Sequence, residues 1–388
     1  MSSRVAMIAQ PGYDERTLVP AIVRAIGSVG FDLDSVRGRR VLLKPNMLGA
    51  YLPSMGVTTN PAFVSAAAKI FCGAGAIVSI GDSPNGIFPI DKVWEVTGMR
   101  EVCRASGAAE LHFEATGSVR KDGLKIARAA FDTDVVVNLP KFKTHGLTIL
   151  SLAAKNLFGC VNGMQKTAHH RECQTREEFG RLVARIAGAV NPPLTLIDGI
   201  VAMEGNGPSA GELMDLGVIV AGTDVHAVDA ACCRLVGLPP IELDSLAAAK
   251  QLGLWNGREP LEISGDPIDE LAPKEFKLPS TYTRGMRDWW ISKFVIGRIW
   301  NGLSSQPVID PALCKRCLLC IDACPVEAIS DTSSDLAPEI AEKICIQCMC
   351  CHEVCPHKAI GLKESALLRL GRWLSKRQTA KHLSSKEL

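Results

Sequence analysis

The most constraining feature of this 388-residue chain is a cysteine motif that occurs twice near its C-terminal end. Each copy reads C-x-x-C-x-x-C-x-x-x-C-P and continues into an Ala–Ile pair. The first copy contains Cys314, Cys317, Cys320 and Cys324, and the second contains Cys345, Cys348, Cys351 and Cys355. The two-residue gaps let a tight loop wrap three thiolates around one cube of iron and sulfur, and each cube takes four thiolates. The pattern therefore predicts two [4Fe–4S] clusters.

The last cysteine of each copy, which precedes Pro325 or Pro356, is expected to ligate the cluster held by the other copy. One cluster then takes Cys314, Cys317, Cys320 and Cys355, and the second takes Cys345, Cys348, Cys351 and Cys324. A zinc site is the alternative, because zinc often binds two C-x-x-C pairs. Zinc does not account for the third cysteine at the same spacing or for the duplication. Cys350 is an additional thiol, but the repeat spacing selects Cys351.

Over its full length this block, residues 306–362, resembles bacterial two-cluster ferredoxins, and every ligand position matches. The resemblance implies a small α+β ferredoxin-like domain with two clusters. Clusters of this kind exchange single electrons over a wide range of reduction potentials. The block therefore predicts a protein that transfers electrons.

The longer N-terminal part, residues 1–280, alternates short β-rich runs with helix-length stretches. This alternation favours an α/β domain with a mostly parallel sheet and flanking helices. Several runs are apolar throughout, as parallel strands buried on both faces tend to be. The predicted strands are Val5–Ala9, Arg40–Lys44, Ile77–Gly81, Asp134–Leu139, Leu194–Asp198, Gly217–Ala221 and Leu261–Ser264. The predicted helices include Pro61–Cys72, Glu177–Val190 and Val225–Leu235.

Two further segments flank the ferredoxin-like block. Residues 281–305 carry Trp289, Trp290 and Trp300 among basic residues, which predicts an amphipathic connector helix. Such a helix most often packs its apolar face on a neighbouring domain. A membrane-surface or partner-binding helix is the alternative, so peripheral membrane contact stays open. Residues 363–388 are expected to form a basic C-terminal tail.

Composition and charge narrow the class of protein. The net charge of +2 lacks the basic excess of nucleic-acid-binding domains. No apolar run is long enough to cross a bilayer, and the first ten residues lack the pattern of a secretory signal. Cysteines outside the motif are scattered along the chain, which fits a reducing compartment. We therefore expect a cytoplasmic protein that binds no nucleic acid and has no transmembrane segment.

Polar residues follow several predicted strands, and the carboxyl ends of parallel strands share one edge of a sheet. Their convergence predicts a binding crevice. Lysines there would bind a phosphate or carboxylate group, and His145 would serve as an acid–base group. The expected substrate- or cofactor-binding residues are Lys44, Asn46, Asp82, Ser83, Lys141, Lys155, Asn156, Gly205 and Gly207. The candidate catalytic residues are His145, Lys143, Asp198 and Glu204. The histidine pair His169 and His170 is either part of the site or a solvated surface pair.

Five short runs in this part together resemble the domain-of-unknown-function family 362. They are Lys44-Pro45-Asn46, Gly81-Asp82-Ser83, Pro140 to His145, Lys155 to Gly159, and Asp198-Gly199 with Glu204 to Pro208. Members of that family often carry a fused two-cluster ferredoxin module. The resemblance implies this domain layout and the location of the site, and it says little about the substrate.

These observations lead to three hypotheses about function. In the first, an iron–sulfur oxidoreductase exchanges electrons with a donor or acceptor protein and passes them to an anionic small-molecule substrate or cofactor in the crevice. In the second, the chain is an electron-transfer subunit that docks a partner enzyme. In the third, it is a non-redox enzyme or sensor with structural clusters. A flavin or another phosphate-bearing cofactor would fit the lysines, although no flavin motif occurs, and homo-oligomerisation is left open.

Overall fold

A ten-stranded sheet forms the centre of the α/β part of the protein. The structure, a computed structural model, describes residues 4–173, 175–257, 262–282, 306–333 and 336–363. The strands of the main sheet are β1 (Val5–Ala9), β2 (Arg40–Pro45), β3 (Ile77–Asp82), β4 (Ala109–His112), β7 (Val135–Leu139), β8 (Lys141–His145), β9 (Ile149–Ser151), β10 (Leu194–Glu204), β11 (Glu212–Gly222) and β12 (Ile263–Gly265). A separate hairpin is formed by β5 (Ser118–Lys121) and β6 (Leu124–Ala127).

The strand order along the sheet is β12-β1-β11-β10-β7-β2-β3-β4. All neighbours on this path are parallel except the two pairs that involve β11. Beyond the end of β7, β8 pairs with β10, and β9 pairs antiparallel with β8. The predicted mostly parallel sheet is therefore confirmed. Strands β10 and β11 extend past their predicted ends because they continue together as one long antiparallel ribbon.

Helices cover both faces of this sheet, as predicted. Strand β2 shows why, because Val41 and Leu43 enter the core on one face and Leu42 enters the core on the other. Successive side chains of a strand point to opposite faces. The core around Val41 contains side chains of α1 to α4, and the core around Leu42 contains side chains of α7 to α9. The helices are α1 (Glu15–Ser28), α2 (Pro61–Gly73), α3 (Ile90–Val96), α4 (Met99–Ser106), α5 (Ala153–Asn156), α6 (Gly163–Glu172), α7 (Arg176–Val190), α8 (Val225–Leu235), α9 (Asp244–Gln251) and α10 (Ile268–Leu271).

The C-terminal block forms a small α+β module, as predicted. Strand β13 (Gln306–Ile309) pairs with β16 (Ile360–Lys363), and β14 (Ile329–Ser330) pairs with β15 (Glu339–Ile340). The module also contains the short helices α11 (Leu319–Asp322) and α12 (Cys350–Val354).

Two predicted segments cannot be compared with the structure. The connector helix at 281–305 and the tail at 363–388 lie outside the described residues, apart from Thr281, Tyr282 and Lys363. Within the described part of the chain, no helix is both long enough and apolar enough to cross a membrane.

Candidate functional site

Cysteines from both copies of the motif line one cavity in the ferredoxin-like module. The cavity occupies about 340 Å³, part of which is open to solvent, and its lining includes Cys314, Cys317, Cys320 and Cys355. This is the set that the sequence predicts for one cluster. Backbone N–H groups of Ala359 and Ala328 donate hydrogen bonds to the Sγ atoms of Cys355 (3.3 Å) and Cys324 (3.1 Å). Four thiols converge on this cavity, and one of them, Cys355, accepts a backbone hydrogen bond, which fits the requirements of a [4Fe–4S] cluster.

The second predicted set, Cys345, Cys348, Cys351 and Cys324, is gathered around the buried Cys351. Burial is the main cause that raises the pKa of the Cys351 thiol well above its usual range, and Cys348 and Cys345 raise it further. A thiol that resists ionisation in the protein alone becomes a thiolate when it coordinates a metal. This donor set therefore also fits a cluster.

The two cysteine loops share a backbone conformation that L-residues rarely adopt. Arg316 and Gln347 have φ values of 53° and 56°, and Leu318 and Met349 have values of 60° and 64°. These residues occupy equivalent positions in the two copies. Because each such residue costs about 1–2 kcal/mol, the loops need a restraint that holds them in shape. Coordination of three thiolates by one cluster supplies that restraint.

Helix α12 and the turn after it dock the module against the crevice edge of the α/β sheet. The helix contains Cys351 and ends one residue before Cys355, and the predicted ligation assigns these two cysteines to different clusters. The hydrogen bonds across this junction are Tyr51 Oη to Glu353 O (2.6 Å), Ser209 Oγ to His352 O (3.1 Å), His352 Nε2 to Asn206 O (3.0 Å) and Lys358 Nζ to Gly211 O (3.3 Å). The segment that would hold the clusters is thus also the segment that meets the α/β domain.

The Glu353 side chain enters the crevice and contacts His145. The distance from His145 Nε2 to Glu353 Oε1 is 2.7 Å. His145 Nδ1 accepts hydrogen bonds from the backbone N–H groups of Leu147 (3.0 Å) and Thr148 (3.4 Å), so the ring proton lies on Nε2. Burial lowers the pKa of His145 to about 4. Burial would raise the pKa of the Glu353 carboxyl, but His145 and Lys155 outweigh it and lower that pKa. A neutral imidazole therefore faces an ionised carboxylate.

Strand β8 explains why three predicted site residues lie on one face. The sequence places Lys141, Lys143 and His145 two residues apart, and residues with this spacing share a face of a strand. Phe142 points the other way, into the core shared with α7 and α8. The sequence did not reveal that this run is itself a strand, because its charged residues resemble those of a loop. All three side chains are buried, and each one contacts a polar group from another segment of the chain.

The crevice itself has walls from both parts of the chain and encloses about 640 Å³, part of which is open to solvent. The α/β residues around it are Asn46, Leu48, Asp82, Ser83, Asn85, Ile87, Lys155, Asn156, Phe158, Gly159, Lys166, Thr167 and His170. The ferredoxin-like module contributes Ala323, Cys350 and Glu353. Five of the predicted binding residues therefore line one crevice, and that crevice adjoins the cysteine loops.

Lys44 and Asp82 form a buried ion pair beneath the crevice. Lys44 Nζ lies 2.7 Å from Asp82 Oδ1, and the backbone N–H of Met47 donates to Asp82 Oδ2 at 2.8 Å. A Cβ atom on Gly159 would lie 2.2 Å from Asp82 Oδ1 and 2.6 Å from Lys44 Nζ. The absence of a side chain at Gly159 therefore leaves room for the Lys44–Asp82 ion pair. Lys44 is fully buried and does not line the crevice, so its contact with a ligand stays a prediction.

Lys141 and Asp198 form a second buried pair away from the crevice lining. Lys141 Nζ lies 2.8 Å from Asp198 Oδ2, Tyr13 Oη donates to Asp198 Oδ1 at 2.8 Å, and Asn60 N donates to Oδ2 at 2.9 Å. With these partners, Asp198 has no access to the crevice. Neither residue lines the crevice, and the binding role of Lys141 and the catalytic role of Asp198 stay predictions.

Lys143 and Lys166 are also held by the protein. Lys143 Nζ donates to Val57 O (2.6 Å) and Asn46 Oδ1 (3.1 Å), and burial lowers its pKa to about 7. Lys166, which the sequence did not single out as a site residue, donates to Ser83 O, Ser83 Oγ and Pro84 O. Burial lowers the pKa of Lys166 to about 8.

Three predicted site residues, Glu204, Gly205 and Gly207, lie in or beside the loop of the α/β domain that contacts the ferredoxin-like module. Glu204 accepts a hydrogen bond from the backbone N–H of Lys277 at 2.9 Å and does not line the crevice. Gly205 has a φ of 70°, and a Cβ on Gly207 would lie 2.2 Å from Thr144 O. These residues shape the loop whose Asn206 carbonyl faces His352. They thereby support docking of the module, where the sequence predicted ligand contact.

His170, Glu353 and Cys350 are among the crevice residues that the sequence left unassigned. His170 is buried, stacks on Phe179 with ring centroids 4.6 Å apart, and has no hydrogen-bond partner for Nδ1 within the described residues. Burial lowers its pKa to about 3, so the ring is neutral at pH 7. His169 instead points to Glu172 at the surface. Nothing in the spacing of Glu353 or Cys350 indicates that they face another domain.

Comparison with known proteins places these features in a family. The profile described as domain of unknown function DUF362 matches residues 41–234, and the profile described as 4Fe-4S dicluster domain matches residues 306–356. The thylakoid-associated protein sll1697 of Synechocystis sp. (strain ATCC 27184 / PCC 6803 / Kazusa) is 33% identical over 285 residues, which cover 72% of this chain and 88% of that protein.

Among solved structures, the lactate racemase apoprotein from Thermoanaerobacterium thermosaccharolyticum aligns with 15% identity and a TM-score of 0.40. The alignment covers 61% of this chain and 56% of that one, and a likeness at this level supports no conclusion about activity. The family assignment rests on the sequence profiles and the cyanobacterial relative: the chain belongs to the DUF362 family and carries a 4Fe-4S dicluster domain near its C-terminus.

Proposed function

We propose that the protein is an iron–sulfur oxidoreductase that passes electrons through two [4Fe–4S] clusters to an anionic substrate or cofactor in the crevice. One observation carries the proposal. Cys350 and Glu353, which flank the predicted ligand Cys351, line the same crevice as Lys155 and Lys166. A ligand bound there would lie next to the cysteine loops, with no intervening layer of protein.

The clusters, when bound, supply single-electron steps. The residues of the chain would bind and orient the ligand and provide protons. Lys155 would hold the anionic group by charge. Lys166 has a pKa near 8 and lines the crevice, so its ammonium group can donate a proton close to neutral pH once a ligand replaces one of its acceptors on Ser83 or Pro84. With a pKa near 4, His145 would orient the Glu353 carboxylate and would not serve as the proton donor.

The proposal is tested on full-length protein purified without oxygen. The clusters are reduced chemically, and their visible spectrum is followed after addition of the small-molecule fraction released from a second sample by denaturation. We expect about eight irons per chain and reoxidation of the clusters by that fraction. Lys166→Met protein with the same iron content should reoxidise more slowly. If neither the released fraction nor its separated components reoxidises the clusters, the proposal is wrong.

The second candidate, an electron-transfer subunit that docks a partner enzyme, is favoured by a different observation. Large apolar side chains are exposed on the ferredoxin-like module, at Val308, Leu313, Leu336 and Ile344. Leu313 directly precedes Cys314, and Cys317 is itself exposed. This surface suits a protein that donates or accepts electrons. Copurification of a stable redox partner, together with an empty crevice, would favour this candidate over the first.

A further inference from the structure

The lysines around the crevice differ in how many of their ammonium N–H groups are hydrogen-bonded to other residues of the protein. An ammonium group has three N–H donors. Four of the five lysines are engaged: Lys44 by Asp82 and Pro45 O, Lys141 by Asp198 and Tyr13, Lys143 by Asn46 and Val57 O, and Lys166 by Ser83 and Pro84 O. Lys155 is different, since within the described residues it has neither a hydrogen-bond acceptor nor a carboxylate in contact.

Aromatic rings hold Lys155 in place. Its Nζ atom lies 4.6 Å from the centroid of the Phe158 ring and 5.3 Å from that of Phe179. A cation over an aromatic face is attracted by the ring and stays partly desolvated. Lys155 lines the crevice, so its donors are available to a ligand. The crevice therefore offers one unengaged positive charge.

The opposite charge in the same crevice comes from Glu353. Its Oε1 atom faces His145, and its Oε2 atom accepts no hydrogen bond from the described residues. The buried Nδ1 atom of His170 belongs to the same lining, and among the described residues it has no hydrogen-bond partner. A ligand that satisfies these groups needs an anionic group for Lys155 and a hydrogen-bond donor for Glu353.

We infer that the crevice selects a small organic monoanion that carries a hydrogen-bond donor, and that it discriminates against dianions such as dicarboxylates and phosphate esters. The inference rests on the proposed function, because it specifies the ligand of the same crevice. Among the described residues, the charged groups that line the crevice leave one positive charge in excess, since Lys155 and Lys166 are opposed by Glu353 and Asp82 is paired with Lys44. A second negative charge on the ligand would exceed that balance and would approach the Glu353 carboxylate. Buried like charges repel strongly because the protein interior screens them poorly.

The test uses isothermal titration calorimetry on oxygen-free, fully loaded protein with oxidised clusters and no electron donor. The probes are malonamate, malonate and propanoate. Malonamate and malonate have nearly the same shape, but malonamate replaces one carboxylate with an amide donor, and propanoate has no donor. We expect malonamate to bind at least tenfold more tightly than either of the others, with Kd values in the millimolar range or below.

Three variants separate the contributions. Lys155→Met should weaken malonamate binding at least tenfold, and Lys155→Arg should retain it. Glu353→Gln should reduce the preference for malonamate over malonate to less than threefold. Because Glu353 lies between cysteine ligands, only preparations with unchanged iron content are compared. Lys121→Met, at an exposed lysine on β5, is the matched control and should bind as the unmodified protein does.

Two results would overturn the inference: malonate binding as tightly as malonamate, or Lys155→Met leaving the affinity unchanged. Absence of binding by all three probes at about 10 mM would overturn it as well, since the expected contacts support millimolar affinity. These outcomes are separate from failure of the proposed function. The titration involves no electron transfer, so the ligand selectivity can hold even if the clusters are not reoxidised through the crevice.

Discussion

Replacing Lys141 with methionine tests whether the Lys141–Asp198 pair is structural. Both side chains are almost completely buried, and the substitution removes the positive charge while keeping the shape of the side chain. Breaking a buried pair from one side costs about 3–5 kcal/mol, because the remaining charge stays buried without its partner. Asp198 would keep its hydrogen bonds from Tyr13 Oη and Asn60 N, which places the expected loss at the lower end, about 3 kcal/mol.

The assay is thermal unfolding of oxygen-free protein at a fixed scan rate. At about 2 °C per kcal/mol for a domain of this size, Tm should fall by about 6 °C. Arg16→Met is the matched control, because Arg16 pairs with Asp14 at the surface, where solvent screens a salt bridge and its loss should leave Tm nearly unchanged. The double variant Lys141→Met/Asp198→Asn should regain most of the lost stability, since it removes the stranded charge. A loss of less than about 2 °C in Lys141→Met, combined with lost ligand binding, would refute the structural interpretation and restore the predicted binding role.

Three further predictions concern packing, pH and iron content. Gly159→Ala should cost about 1–3 kcal/mol in unfolding free energy, measured by denaturant titration, because the new methyl group would overlap Asp82; an unchanged midpoint would show that the pair has room to move. The folded-state pKa of His145 is about 4 against about 6.5 when unfolded, so below pH 6.5 the unfolded state binds the extra proton and stability falls with decreasing pH. The low pKa of His145 should therefore reduce the free energy of unfolding by about 2 kcal/mol at pH 5 relative to pH 7. His145→Gln should make this loss of stability between pH 7 and pH 5 smaller, and an identical pH dependence in the variant would contradict the assignment. Cys351→Ser should lose about four irons per chain while Cys350→Ser keeps them all, and equal losses in both variants would show that the neighbouring thiol can take over as ligand.

Much of the fold could be predicted from the sequence because it depends on local patterns. The apolar runs around Val41 and Val135 are strands because parallel strands buried on both faces lack polar positions. The cysteine repeat identifies the ferredoxin-like module because few other sites need three thiolates at that spacing. Strand β8 was not predicted because Lys141 and Lys143, which alternate with Phe142, are residues usually exposed to solvent. A strand with such lysines can be buried on both faces only if they have polar partners inside the protein. Those partners lie elsewhere in the chain.

The candidate site was predicted in part. Asn46 and Asp82 line the crevice because they lie at the carboxyl ends of the parallel strands β2 and β3, which share one sheet edge. Lys155 lines it from helix α5. Whether a lysine there is engaged or available depends on long-range partners, and neither the Lys44–Asp82 pair nor the Lys141–Asp198 pair follows from sequence spacing. The contribution of Glu353 depends on docking between two domains, about which a single sequence contains no local signal.

A crystal structure of the oxygen-free protein, with iron located by anomalous scattering, tests the central claim most directly. The claim is that the crevice is shared between the α/β domain and the cluster-binding module. We expect two iron clusters, one of them adjoining the crevice wall at Cys350, with the Glu353 carboxylate in contact with His145 Nε2. A structure in which Cys350 and Glu353 face solvent, with both clusters separated from the lysine-lined crevice by other protein, would contradict the claim.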